Sequence, residues 1–398
     1  MEYRTASRKA VWADLKRERC NPVSLLKSTA IVLVFMLHAS IFSGQYGFSF
    51  GKHSWILQTP AWAAVWICFL ASGYLIGKGF VRGRYICSAR GILAFYLGRF
   101  FKIVLPAWLF VFAVCVIVNP GFVVNNPGFI LSQLTFRYRG VPQFAGIGAS
   151  WYISTLMGLY LAAPFCYMLL SKITSLKNGW IFSLFVVTLI CIIQYKSRLW
   201  LLSKGCDWSY YIYTPFYMNL DLFLSGMALS VLFCKTEKHI IQGNALILLK
   251  VISVVILTAV VIYNIRIYHQ GDITRYTMVM PSVYIPAVLF YLFAWDAAYH
   301  GNISGKRQLF LVRVICRGIN SLMGLSFGFY LCHSQVLESI APFITHKTPL
   351  EGHVKLMAAA FLLSLPIAWV IEKTGSVSYG FYREKILTRI LKQGDVKR

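Results

Sequence analysis

Charge is what this chain lacks. Only 13% of its 398 residues are Asp, Glu, Lys or Arg, about half the share of an ordinary soluble domain. Acidic residues are the scarcer kind, 13 against 39 basic, for a formal charge of +26. Hydrophobic residues make up 58%. That balance argues against a soluble enzyme, a disordered chain and a nucleic-acid module. Several soluble-enzyme signatures are also missing. There is no GxxxxGK phosphate loop, no HExxH and no paired CxxC, so nothing demands a metal and no permanently bound cofactor is expected. The ten cysteines do not form a disulfide framework. Only Cys206 falls clearly in an outside loop, and most others lie in apolar stretches, where Cys behaves as a small apolar residue. No fixed-period repeat or low-complexity tract occurs. The first 22 residues are basic and polar, without the apolar core and small-residue cleavage site of a secretory signal.

What the chain has is length of apolar run. A membrane helix needs about 20 mostly apolar residues. Ten stretches qualify, near 23–42, 60–79, 94–118, 151–170, 180–195, 212–234, 245–264, 278–298, 320–343 and 353–372. The fifth is short. The expected fold is therefore all-α, a polytopic integral membrane protein of about ten transmembrane helices. It divides into a basic segment 1–22, a membrane domain 23–372 and a basic tail 373–398. The longest connection, 119–150, is rich in Gly, Pro and Asn.

The basic residues set the orientation. With the N-terminus inside, the inner segments and the span ends bordering them carry 28 Lys and Arg, and the outer segments carry 10. That asymmetry follows the positive-inside rule, so both termini are expected to be cytoplasmic. It also accounts for the net charge without nucleic acid, which is not an expected partner; membrane lipids are. In the tail, Ile386, Leu387, Ile390 and Leu391 alternate with Arg383, Lys385, Arg389 and Lys392. This spacing suits an interfacial helix as well as a solvated tail. Gly73 and Gly77 form a small-xxx-small pair of the kind found where helices pack closely.

An ionisable residue inside a span is costly, which makes it a functional candidate. His38 lies well inside the first span. Lys27 precedes it by eleven residues, within about 20° of three full turns, so the two share a face about 16 Å apart along the axis. That layout suits a ligand with an anionic end in the cytoplasm and a reactive end in the membrane. A cytoplasmic anchor and a packing histidine would have the same pattern. Arg99 and Lys102 open the third span, three residues apart and on one helical face. Two fixed cations there suit phosphate groups or lipid headgroups. Asp221, His333 and Glu338 are further ionisable residues in spans, each equally suited to holding helices together. Asp296 and Glu372 lie near cytoplasmic ends. Trp151 and Tyr152 open the fourth span from outside, where aromatics commonly form an interfacial belt.

Taken in order, these segments resemble the acyltransferase family 3 of integral-membrane acyltransferases, from about residue 22 to 373. Lys27 and His38 resemble the family's basic-residue–x10–His signature, with Lys in place of the usual Arg. Phe69-Leu-Ala-Ser72-Gly73-Tyr74 resembles an apolar run ending in Ser-Gly-Tyr. Arg99-Phe-Phe-Lys102, followed by Pro106, is similar to an RxxR element before a proline, again with Lys for one Arg. Ser150-Trp151-Tyr152-Ile153, Asp221-Leu-Phe-Leu-Ser-Gly226-Met227 and Ser326-Phe-Gly-Phe-Tyr330-Leu-Cys-His333 resemble three later elements.

The resemblance implies transfer of an acyl group, usually acetyl, from cytoplasmic acyl-CoA to a hydroxyl of a cell-envelope sugar or lipid-linked precursor. It implies a bacterial inner membrane as the location. His38 is the expected catalytic residue. Arg99, Lys102 and Lys27 are expected at the acyl-CoA, with Trp151, Tyr152, Asp221, Ser72, Tyr74, His333 and Glu338 at the acceptor or in support. Some family members carry an appended extracytoplasmic domain. About 26 residues follow the last expected span here, so transfer is expected to be completed alone or handed to a separate protein. A transporter or flippase of acyl groups or polyisoprenyl-linked sugars is the competing class. A polysaccharide polymerase fits less well, because such enzymes often need a large outside loop. A succinyl donor fits the same residues.

Overall fold

A computed structural model describes residues 22–51, 61–118, 120–135, 151–236, 244–270, 273–300 and 310–392. It is helical, with no strand among the described residues. The sixth expected stretch, 212–234, begins in two short turns, Ser209–Tyr213 and Phe216–Asn219, and is α-helical only from Leu220; the expected stretches otherwise fall on helices. These are α1 (Pro22–Gln45), α2 (Ala61–Val81), α3 (Ala89–Ile117), α4 (Trp151–Thr174), α5 (Gly179–Ser203), α6 (Leu220–Thr236), α7 (Asn244–His269), α8 (Ile273–His300), the pair α9 (Phe310–Gly324) and α10 (Ser326–Ile340), and α11 (Pro349–Phe381). Among the described residues eight helices are long and apolar enough to cross a membrane, and the α9–α10 pair makes a ninth if it is one span. The described apolar part of α8, Pro281–Trp295, is shorter. The basic segment 1–21, loop residues 136–150, the Asp296 side chain and residues 393–398 lie outside the described residues.

Helix α2 is the centre of the bundle, packed on α1, α4, α6 and α8. Its most apolar stretch is 78% buried, against 6% for α7. Helix α7 presents Ile247, Leu248, Val251 and Val255 outward, a surface that water would not tolerate and lipid covers. The tightest packing joins α2 to α6. A Cβ on Gly73 would run into the Phe223 carbonyl, and one on Gly226 into the Leu70 carbonyl. Gly77 faces Ser230 and Met227 in the same seam. Small residues thus let two backbones approach closely where lipid supplies no hydrophobic drive.

The structure corrects the sequence reading at four further places. The fifth stretch is a full 25-residue helix rather than a short one. The 119–150 connection contains two short helices, Pro120–Asn125 and Pro127–Thr135. The ninth stretch is two helices that meet at a 74° bend near Leu325, next to Gly324. The third stretch widens into a π-helical turn over Phe100–Val104. Pro106 has no N–H to return to the Lys102 carbonyl four residues back, and α11 packs on this loosened segment. Gly375 lets α11 approach the Lys102 carbonyl and Pro106, and Ser378 Oγ donates to the Phe101 carbonyl at 2.6 Å.

Helix α11 continues without a gap into Tyr382–Leu387 and Thr388–Lys392. The 42 residues Pro349–Ile390 extend about 63 Å, roughly twice the hydrocarbon thickness of a bilayer. The described part of the expected tail, as far as Lys392, therefore runs on from the last span as helix. Tyr382 is buried and donates to the Ala94 carbonyl of α3 at 2.5 Å, which ties the extension to the N-terminal part of the third span.

Candidate active site

Helices α1 and α10 bring two histidines together. His38 Nδ1 lies 2.7 Å from His333 Nε2, and the rings stack with centroids 5.0 Å apart. The tautomers follow from a carbonyl. His333 Nδ1 is 3.0 Å from the Phe329 oxygen, which can only accept, so Nδ1 carries the proton and Nε2 the lone pair. His38 must then donate from Nδ1, which leaves its own Nε2 as a free base. Ser334 Oγ stands 3.3 Å from both nitrogens of the contact. His333 is 1% exposed and is packed by Phe35, Phe329 and Tyr330. His38 is only partly buried. The pair thus has a fixed inner member and an accessible outer one.

His38 is seven residues from the end of α1 at Gln45, about 10 Å along the axis. It lies in the C-terminal half of the helix rather than at its middle. Lys27 lies toward the other end, where a basic cluster forms. Lys27, Arg99 and Lys102 are close enough for their charges to act on one another, and Glu372 acts on Lys27 and Lys102. Arg99 is caged by the rings of Tyr85, Phe95 and Tyr160, 5.4–5.6 Å from its guanidinium carbon. Its Nη2 donates to Tyr85 Oη at 2.6 Å. Its Nε is buried without a protein partner. Lys102 is exposed, with Nζ 5.9 Å from the Tyr379 ring centre. Three neighbouring cations and an orphaned donor, about three turns of α1 from His38, are an arrangement that suits an anion.

The supporting residues divide. Ser72 is buried and its hydroxyl acts on Tyr152 and Tyr160, which places it between the Arg99 cage and the next layer. Tyr152 packs between Phe69 and Tyr330, and Tyr330 touches His333. Trp151 lies one layer out, against Tyr213 and Tyr152. Tyr74 is a core residue with the Lys78 ammonium over its ring. Asp221 lies in a buried ion pair with Arg198. Both its oxygens accept from Arg198 Nη2 at 2.9 and 2.8 Å, and one also accepts from the Leu222 amide. Glu338 is half-buried on α10, five residues beyond His333. Sequence reasoning missed Ser334, adjacent to His333, and the aromatic residues Tyr85 and Tyr160 around Arg99. It left Glu372 without a role. Only neighbourhood in the quoted His333 segment gave any signal for Ser334. Among the described residues no group of three or more His, Cys, Asp or Glu is arranged to hold a metal.

Fold and site together define a class: a polytopic membrane protein with a histidine pair buried among its helices and a cluster of cations. The chain matches the family described as an acyltransferase domain over residues 23–373. It belongs to that family, acyltransferase family 3, and is an integral-membrane acyltransferase. No curated protein and no solved structure matches it.

Proposed function

We propose that this protein is an O-acetyltransferase that moves an acetyl group from cytoplasmic acetyl-CoA to a hydroxyl of a cell-surface polysaccharide or lipid-linked sugar. The observation that carries the reading is the His38–His333 contact, because it leaves one imidazole nitrogen both basic and accessible. Lys27, Arg99 and Lys102 bind the phosphates of CoA at the basic end. The thioester arm then extends along α1 toward His38, about 16 Å beyond Lys27.

The acceptor hydroxyl loses its proton to His38 Nε2 as its oxygen attacks the thioester carbonyl. The C–S bond breaks, and the departing thiolate takes the proton back from His38. Ester and free CoA result, and His38 returns neutral. General-base help of this kind contributes ~10²–10⁴ in rate. His333 is a positioning residue: it fixes the ring and the tautomer of His38 through the bond to Nδ1. With the N-terminus cytoplasmic, the position of His38 in the C-terminal half of α1 supports an acceptor arriving from the extracytoplasmic side, as a sugar of the envelope of a bacterial inner membrane would.

The broken α9–α10 span favours a second reading. Discontinuous helices are frequent in transporters, and a flippase would use the break as a substrate passage. That reading gives no task to a free imidazole nitrogen. The test is transfer of label from radiolabelled acetyl-CoA into the envelope glycan fraction, wild type against His38→Ala at matched protein level. Incorporation by wild type alone supports acetyl transfer. Equal incorporation by both removes His38 from the mechanism. Retained glycan export with no transfer in either protein supports the flippase.

A further inference from the structure

The break in the ninth span leaves a helix N-terminus inside the protein. The first amides of an α-helix have no partner within it. Leu325, at the N-cap position of α10, supplies no side-chain cap. The cap comes from another helix. Glu372 Oε1 of α11 accepts from the Phe327 amide at 3.1 Å and the Gly328 amide at 3.3 Å. These are the second and third positions of α10, the two amides that an N-cap side chain normally serves. Gly328 makes the approach feasible, since a Cβ there would strike the Ala368 carbonyl of α11. Five residues further along the same helix stands His333.

The carboxylate has a second set of neighbours. Its charge acts on Lys27 and Lys102, two of the three cations assigned above to the donor phosphates. One side chain therefore bonds the α10 N-terminus and bears on the basic cluster through its charge. It is the negative member of the basic cluster and the cap of the helix that carries the orienting histidine.

We infer that Glu372 is a positioning residue that couples the anion site to the histidine pair: its charge competes with the donor phosphates for Lys27 and Lys102, and its hydrogen bonds hold the α10 N-terminus so that His333 meets His38. This inference rests on the acyltransfer reading. The two roles separate chemically. Glu372→Gln keeps a carbonyl oxygen for the Phe327 and Gly328 amides but loses the charge. Glu372→Ala loses both.

The experiment measures label transfer from acetyl-CoA in membranes holding the full chain, with acetyl-CoA varied, for both variants and for Arg99→Ala. Each rate is normalised to folded protein. Glu372→Gln should lower the apparent KM for acetyl-CoA roughly fivefold, with a smaller change in maximal rate, and the KM gain should shrink at high salt. Glu372→Ala should lower the maximal rate by roughly 10- to 100-fold, the loss expected when a catalytic group is displaced by about 1 Å. If both variants lose rate alike with an unchanged KM while Arg99→Ala raises the KM, Glu372 is a structural residue only and the inference fails while the donor site stands. If Arg99→Ala also leaves the KM unchanged, the donor site itself is wrong, and the inference falls with it.

Discussion

Among the polar pairs that join helices of this bundle, two differ in what they leave open. The Arg198–Asp221 pair joins α5 to α6 with side chains 2% and 1% exposed. The carboxylate is surrounded by donors: Arg198 Nη2 reaches both oxygens, and the Leu222 amide adds a third bond. The same Nη2 also donates to the Met218 carbonyl at 2.6 Å. The His38–His333 pair joins α1 to α10 and ends in a partly exposed ring whose Nε2 is uncommitted. The first pair holds two helices. The second leaves one ring nitrogen of a partly exposed histidine without a partner among the described residues. Cost of burial alone, the argument that makes any intramembrane charge a functional candidate, does not separate them. The unused lone pair does.

The comparison breaks most sharply at His38. His38→Ala should lower acetyl transfer by ~10²–10⁴ at normal protein level, read as label in the glycan fraction. A variant with wild-type transfer would make the histidine pair as structural as the arginine–aspartate pair. His333→Ala should cost less, on the order of 10- to 100-fold, because the base survives and only its orientation is lost. His333→Gln offers an amide oxygen in place of Nε2 as acceptor for His38 Nδ1, and should recover part of that loss. Equal rates for the two variants would mean that His333 acts by filling space.

Asp221 should behave in the opposite way. Asp221→Ala leaves Arg198 buried and uncompensated, a loss of about 3–5 kcal/mol. The effect should appear in the yield of folded protein and the unfolding midpoint, while activity per folded molecule stays close to wild type. Replacing both members with apolar residues of similar volume should be milder than the single change. A fall in activity per folded molecule as large as that of His333→Ala would place Asp221 in the active site after all.

The spans were legible because a run of about 20 apolar residues has few alternatives. Lys27 and His38 were legible as a pair because one helix carries both, and helical spacing fixes their relation. His333 was visible as an ionisable residue in a span, but its partner was not. His38 and His333 are 295 positions apart, and no periodicity links α1 to α10. The same limit hid the Arg198–Asp221 bond and left Asp221 among the supporting residues. The break at Leu325 and the role of Glu372 were hidden for a related reason. A straight helix and two half-helices share one apolar pattern, and the capping group for the second half comes from α11.

The smallest effect is expected where the sequence departs from the family pattern it resembles. Lys102 stands where an arginine is usual, and its ammonium is a point charge without the planar fork that grips phosphate through two bonds. Arg99, by contrast, already commits Nη2 to Tyr85 and keeps Nε without a protein partner. Lys102→Arg keeps the charge, so the long-range attraction for the donor is unchanged, and adds bidentate geometry. The longer side chain has room, because Lys102 is exposed beside the Tyr379 ring, and a guanidinium stacks on such a ring at least as well as an ammonium. The apparent KM for acetyl-CoA should therefore fall by about two- to threefold, the worth of one modest additional hydrogen bond, with the maximal rate unaltered because His38 and His333 are untouched. Lys102→Gln should raise the KM in the same assay. If both substitutions leave it unchanged, Lys102 is a headgroup anchor, and Arg99 and Lys27 alone hold the donor.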